Sequence, residues 1–184
     1  HQVKTILAHD KKADIAIVTG IGHDKIIKHV RSKKYDLRIL FNYNYKLTSQ
    51  TESLRLAMNA IRQDSLYIIH GDIVFNNAAL HNGSGKSAVM IDTTQTDKKS
   101  VGVSHHDGLM VSMSYGLDEK WAQIVYISKK DFPTAKDVIN SFKNNKLTFE
   151  YINMLSKEMR FSILYDGIKT VEITKKYEEL NNNI

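Results

Sequence analysis

Leu66-Tyr67-Ile68-Ile69-His70-Gly71-Asp72-Ile73-Val74-Phe75 is the stretch on which the reading of this chain turns. An unbroken apolar run, β-branched and aromatic, stops at Gly71-Asp72, and a second short apolar run follows. So short and apolar a run predicts a strand buried on both faces, as in a parallel sheet. Ligands in open α/β sheets sit beyond the carboxyl ends of the strands. An aspartate there offers a hard oxygen ligand to Mg2+ and to the phosphates it bridges, and the glycine before it lets a ligand come close. The competing reading is a plain strand-ending turn, since Gly and Asp are common turn formers.

Upstream, residues 1–9 place Val3, Ile6 and Leu7 at helical spacing. Residues 13–19 predict a strand closed by Gly20, residues 23–30 a short amphipathic helix, and residues 37–41 a second strand. Residues 48–61 predict the strongest helix, with Thr48 or Ser49 as N-cap, Glu52 nearby, and Leu54, Leu56, Ala57, Met58 and Ile61 turned inward. Strands and helices alternating at this spacing imply a parallel sheet with crossover helices. After Leu80 the texture changes. Residues 87–92, 101–105, 109–113 and 123–127 predict strands joined by turns such as His106-Asp107-Gly108, a mixed or antiparallel portion. Residues 133–142 and 148–156 predict helices, 161–165 and 170–173 strands, and 177–180 a last short helix. The fold class expected is α/β, with a mixed, mainly parallel sheet flanked by helices. A doubly wound sheet normally opens on a strand and a Gly-rich phosphate loop. Nothing before Ala13 supplies either, and the chain opens on His1, so an N-terminally truncated sheet lacking its first strand is expected.

The chain has 184 residues, enough for one domain with its own core, and no internal linker divides it. Cysteine is absent, which excludes disulfides, thiolate metal sites and cysteine nucleophiles and suits a reducing, cytoplasmic setting. No apolar stretch is long enough to span a membrane, and no signal peptide is visible. The net charge of +6 comes largely from scattered lysine pairs such as Lys33-Lys34 and Lys129-Lys130. These read as solvated surface rather than a nucleic-acid stripe, and they suit a phosphate-rich small substrate.

Several blocks, taken in order, resemble the nucleotidyltransferases with a GT-A-like, Rossmann-related fold, which join a nucleoside triphosphate to a sugar phosphate or phosphocholine-type acceptor. They are residues 1–7, the strand of residues 14–20, Phe41-Asn42-Tyr43-Asn44-Tyr45 with residues 48–54, residues 66–75, residues 87–92, and residues 171–180. The similarity covers nearly the whole chain and leans towards the short cytidylyltransferases. It implies a three-layer sandwich, Mg2+ as cofactor, an NTP (CTP favoured) and a small phosphorylated acceptor as partners, and a homodimer as an option. It implies metal ligation by Asp72, and an acceptor or base side formed by Gly71, Tyr43, Tyr45, Ser49, Gln50 and Ser53. Where the family has its second metal aspartate, this chain has Thr174, and Glu172 or Asp166 is left to compensate. The run Met113-Ser114-Tyr115 replaces a family block containing a phosphate-binding lysine. These departures motivate the alternative of a non-catalytic relative acting as a binding or assembly module.

Other signals are weaker. Asn82-Gly83-Ser84-Gly85-Lys86-Ser87 resembles part of a phosphate loop, but Leu80 stands where a glycine is needed and Ser87 leads into a strand. His105 and His106 are adjacent on a strand and point to opposite faces, so they cannot share one ion. His70 is placed either to hydrogen-bond near the Gly-Asp turn or to cap the strand. Asp92 ends a strand on the ligand side and is a candidate substrate contact or a turn starter. Trp121, Tyr43 and Tyr45 are candidates for an aromatic box around a choline-like cation, against a packing role. Lys46 and Arg55 are candidate phosphate contacts or surface residues.

Overall fold

The computed structural model describes residues 1–81, 84–93 and 98–173. In chain order the elements are α1 (Gln2–His9), β1 (Ala16–Thr19), α2 (His23–Ser32), β2 (Arg38–Phe41), α3 (Gln50–Ala60), β3 (Leu66–Ile69) and β4 (Ile73–Phe75). A short 3-10 helix (Asn77–Leu80) follows, then β5 (Ala88–Ile91), β6 (Val101–His106), β7 (Leu109–Tyr115) and β8 (Trp121–Ile127). The chain continues through α4 (Phe132–Ser141), α5 (Thr148–Leu155), β9 (Ser162–Leu164) and β10 (Thr170–Glu172). The expected elements are present with ends moved by a few residues. The expected helix over residues 177–180, Thr174 and Asn82-Gly83 lie outside the described residues.

These elements fall into two compact units. One comprises His1–Lys12, Ser65–Ser128 and Arg160–Ile184. Its six-stranded sheet runs β3-β8-β5-β9-β7-β6, and β4 pairs with β10 in a separate two-stranded ladder. Ile73, Phe75, Leu80, Met90, Ala122, Ile124 and Ile168 form a buried cluster, against which Ile6 of α1 and Tyr67 pack. At Gly102 an added Cβ would sit 2.6 Å from the Leu117 Cβ, so only glycine lets the chain after β7 fold back onto β6. The turn joining β6 to β7 has positive φ at both Asp107 and Gly108, which fits the hairpin expected there.

The other unit comprises Ala13–Asp64 and Lys129–Met159. Here β1 and β2 pair in parallel, as the alternation predicted. Leu54 and Met58 of α3 are buried, and Thr51 and Glu52 are buried with them. The two polar side chains are satisfied locally. Thr51 donates to the Lys143 and Lys146 carbonyls at 3.0 and 2.9 Å, and Glu52 pairs with Arg55 at 2.5 Å. Arg38 reaches across to Asp14 at 2.7 Å and to the Ala60 carbonyl.

The α/β class with helices beside a mixed sheet is as expected, but the balance of directions differs. Among the described residues the parallel strand pairs are β1–β2 and β5–β9, and the other strand pairs are antiparallel. The decisive strand β3 pairs antiparallel with β8, and only Ile68 is buried in it. An apolar run reports burial and not direction. Here β8 returns through the sheet between β3 and β5 and takes the place expected for a parallel neighbour.

Candidate functional site

Residues 70–72 leave β3 and enter β4, and three elements brace them. From α1, Gln2 donates through Nε2 to the carbonyls of His70 (2.7 Å) and Ile73 (2.8 Å). From β8, the Gln123 carbonyl accepts the His70 N–H at 3.2 Å. At the end of β10, the Ile173 N–H donates to the Asp72 carbonyl at 2.8 Å. The backbone is thereby fixed while the Asp72 side chain is exposed and makes no hydrogen bond or ion pair with any described residue. A Cβ built on Gly71 would meet nothing within 4 Å, so the space above the turn is open.

Behind the turn lies a polar chain that fixes its own proton positions. Gln123 donates from Nε2 to Glu172 Oε1 at 2.6 Å, because a carboxylate there can only accept. Its Oε1 therefore faces His70 and accepts from Nδ1–H at 2.8 Å. A neutral His70 then carries its lone pair on Nε2, a buried atom with no hydrogen-bond partner among the described residues. The Trp121 ring stands edge-on to the imidazole, with centroids 5.0 Å apart. Burial pushes the His70 pKa down, against the opposing pull of Asp72, the Gln123 hydrogen bond and Glu172. Lys120, with its side chain only 5% exposed, places Nζ 3.8 Å from the same Glu172 oxygen.

Asp72 and Glu172 are the groups here able to hold a divalent cation. The register sets Glu172 opposite Ile73 and leaves Asp72 beside Ile173, so the carboxylates stand one residue out of step on neighbouring strands. Glu172 Oε1 is occupied by Gln123 and Lys120; Oε2 has no hydrogen-bond partner among the described residues. Oxygen donors from one or two carboxylates, completed by water and phosphate, are what Mg2+ takes, and the donor chemistry of Asp72 and Glu172 is of that kind. Among the described residues no group of three His, Asp or Glu side chains gathers as a self-sufficient metal cage.

The other expected residues have mixed placements. Asp92 is fully buried, and its Oδ2 accepts both the Thr170 N–H (2.7 Å) and the Thr170 hydroxyl (3.0 Å). It ties the end of β5 to the start of β10. Gln50 is likewise taken up by the fold, its Oε1 accepting from the Thr148 N–H and hydroxyl at the start of α5. Ser49 is the N-cap residue of α3, but its side chain makes no cap bond. Ser53 Oγ accepts from Asn42 at 3.4 Å. Tyr43 is 84% exposed and stands edge-on to Phe41, 4.7 Å between centroids. Tyr45 is half-buried against Gly20, where any Cβ would meet its ring at 2.8 Å, and Lys46 Nζ lies 5.9 Å from the ring centre. Trp121 is buried, its N–H bound to the Ile124 carbonyl at 3.2 Å, which is the packing role. Arg55 is held by Glu52, and His105 by Glu119 at 2.6 Å.

Four residues escaped the sequence reading. Gln2, Lys120 and Gln123 carry no local signal, since their partners lie many residues away. Asn42 was readable as a turn residue: its Oδ1 accepts the Asn44 N–H at 3.0 Å, and its Nδ2 donates to Thr48 at 3.1 Å, which shapes the tyrosine loop. An open hollow of about 660 Å³ is lined by Ala78, His81, Leu164, Tyr165, Asp166 and Ile168 among others. Of the carboxylates considered as ligands, only Asp166 lines it. Among the described residues no helix is long and apolar enough to cross a membrane.

No family model and no curated protein matches the chain. Solved structures do. The inositol-1-phosphate CTP transferase from T. maritima superposes with a TM-score of 0.75 at 12% identity, over 93% of this chain and 74% of that one. The CTP:phosphocholine cytidylyltransferase from Streptococcus pneumoniae gives 0.73 at 16% identity, over 98% and 82%. A putative glucose-1-phosphate thymidylyltransferase from Bacillus anthracis gives 0.68 at 12% identity, over 92% and 74%. The chain therefore has the nucleotidyltransferase fold that its sequence blocks resemble.

Proposed function

We propose that the chain is a Mg2+-dependent nucleotidyltransferase, a single domain working in the cytoplasm. It moves a nucleotidyl group from an NTP, CTP favoured, to a phosphocholine-type or sugar-phosphate acceptor. An acceptor phosphate oxygen attacks the α-phosphorus, the bond to the bridging oxygen breaks, and pyrophosphate leaves with that electron pair. Such transfer rests on positioning and charge neutralisation rather than covalent help from the protein. The observation that carries the reading is Asp72: an exposed carboxylate with no hydrogen-bond or ion-pair partner among the described residues, on a turn braced from three elements, beneath open space over Gly71. Asp72 and Glu172 Oε2 are the oxygens that would hold the metal, which when bound neutralises phosphate charge. Tyr43, Tyr45, Ser49 and Ser53 are assigned to the acceptor or base side. The CTP preference draws support from two similar structures, a CTP transferase and a CTP:phosphocholine cytidylyltransferase.

A binding module without turnover is the second reading, favoured by the lack of a three-ligand cluster among the described residues and by Thr174 in place of a second aspartate. The deciding experiment is pyrophosphate release with Mg2+ across a panel of NTPs and acceptors. Release with CTP and phosphocholine, or with another NTP and a sugar phosphate, is expected. Silence across the panel would leave the binding module.

A further inference from the structure

We propose that Gln123 is the positioning residue of the Asp72–Glu172 pair, an assignment that rests on the nucleotidyltransferase reading above. Gln123 has φ +59°, a left-handed backbone that side-chain-bearing residues rarely adopt, in the middle of β8. The pairing of β8 with β5 loses register at the same place, between Val89 and Ile91. Such irregularities bend a strand and re-aim a side chain. Here the re-aimed amide bridges two groups from different elements. It donates to Glu172 Oε1 at 2.6 Å and accepts from His70 Nδ1 at 2.8 Å, while the Gln123 carbonyl takes the His70 N–H at 3.2 Å. Lys120 approaches the same Glu172 oxygen, so both neighbours engage Oε1, and Oε2 is left without a hydrogen-bond partner among the described residues as the oxygen available to a metal. Partners behind a ligating group set its orientation, and losing one typically costs about 10–100-fold in metal affinity. A residue held against its backbone preference marks a position where structure over-determines conformation. Glycine would be the relaxed choice at this backbone, and glutamine adds the amide that bridges His70 and Glu172.

The variant Gln123→Gly keeps the left-handed backbone and removes the amide, so folding is preserved and the thermal midpoint stays level or rises. Two readouts separate positioning from mere packing: the ring-nitrogen NMR signature of His70 at mildly alkaline pH, and the affinity for Mn2+ by paramagnetic resonance. The expected result is loss of the fixed Nδ1–H form of His70 together with about a tenfold weaker Mn2+ affinity. An unchanged imidazole signature overturns the proposal, and so does a changed signature with unchanged Mn2+ affinity. Absence of Mn2+ binding by the unaltered chain would instead overturn the metal reading itself. That failure is distinguishable, because the imidazole readout still reports whether Gln123 holds His70.

Discussion

Asp72 and Asp92 each close a short apolar strand, and the molecule treats them in opposite ways. After β3, Asp72 stands exposed with its side chain unpaired among the described residues. After β5, Asp92 is fully buried, with both the N–H and the hydroxyl of Thr170 on one oxygen. What differs is the partner, and the partner is contributed from far along the chain. Burial of a carboxylate is tolerated where donors are supplied, and exposure without donors leaves its oxygens to water, metal or substrate. The contrast separates a carboxylate that holds the fold from one available for chemistry.

The contrast can be broken at several points. The largest effect falls on turnover: Asp72→Asn should lower pyrophosphate release by at least about 100-fold, the scale seen when one preorganised electrostatic contact is lost. Its stability should stay within about 0.5 kcal/mol by denaturant unfolding. Asp92→Ala should do the reverse, costing about 3 kcal/mol because two buried donors of Thr170 lose their acceptor, with chemical unfolding as the check. Thr170→Val removes only the hydroxyl and should cost about 1 kcal/mol in the same measurement.

The smallest effect comes from a half-buried carboxylate that does have partners. Glu150 accepts the Leu147 N–H and the Lys146 ammonium, each at 2.8 Å, and these hold its pKa below the usual glutamate range, the backbone bond first. Because the folded-state pKa is depressed, its contribution is present above the unfolded glutamate pKa and is lost as pH falls through the folded value. Glu150→Gln should therefore cost about 0.5 kcal/mol at neutral pH, and the gap between the two proteins should close on acidification.

Much of the architecture was legible in the sequence because periodicity and turn chemistry are local. The alternation through β2, the helix carrying Leu54 and Met58, and the Asp107-Gly108 turn all emerged from neighbouring residues. The direction of β3 was not legible, since its partner β8 arrives more than fifty residues later and an apolar run is silent about its neighbour's sense. At the site, the Gly71-Asp72 turn was visible from the abrupt end of an apolar run. Gln2 and Gln123, which brace it, were not, because an isolated glutamine has no periodic or motif signature, and the left-handed backbone of Gln123 is set by tertiary contacts. The tie between Asp92 and Thr170 was hidden for the same reason, since the partner lies 78 residues along the chain.

The central claim is that the turn at Gly71-Asp72 is where this chain grips a divalent ion and its phosphates. Amide NMR of the whole chain with Mn2+ and CTP tests that claim most directly. The account predicts selective line broadening at Gly71, Asp72, Ile73 and Glu172, abolished at those positions by Asp72→Asn. Broadening centred instead on Asp166 and Tyr165, or none at residues 70–73, would contradict it.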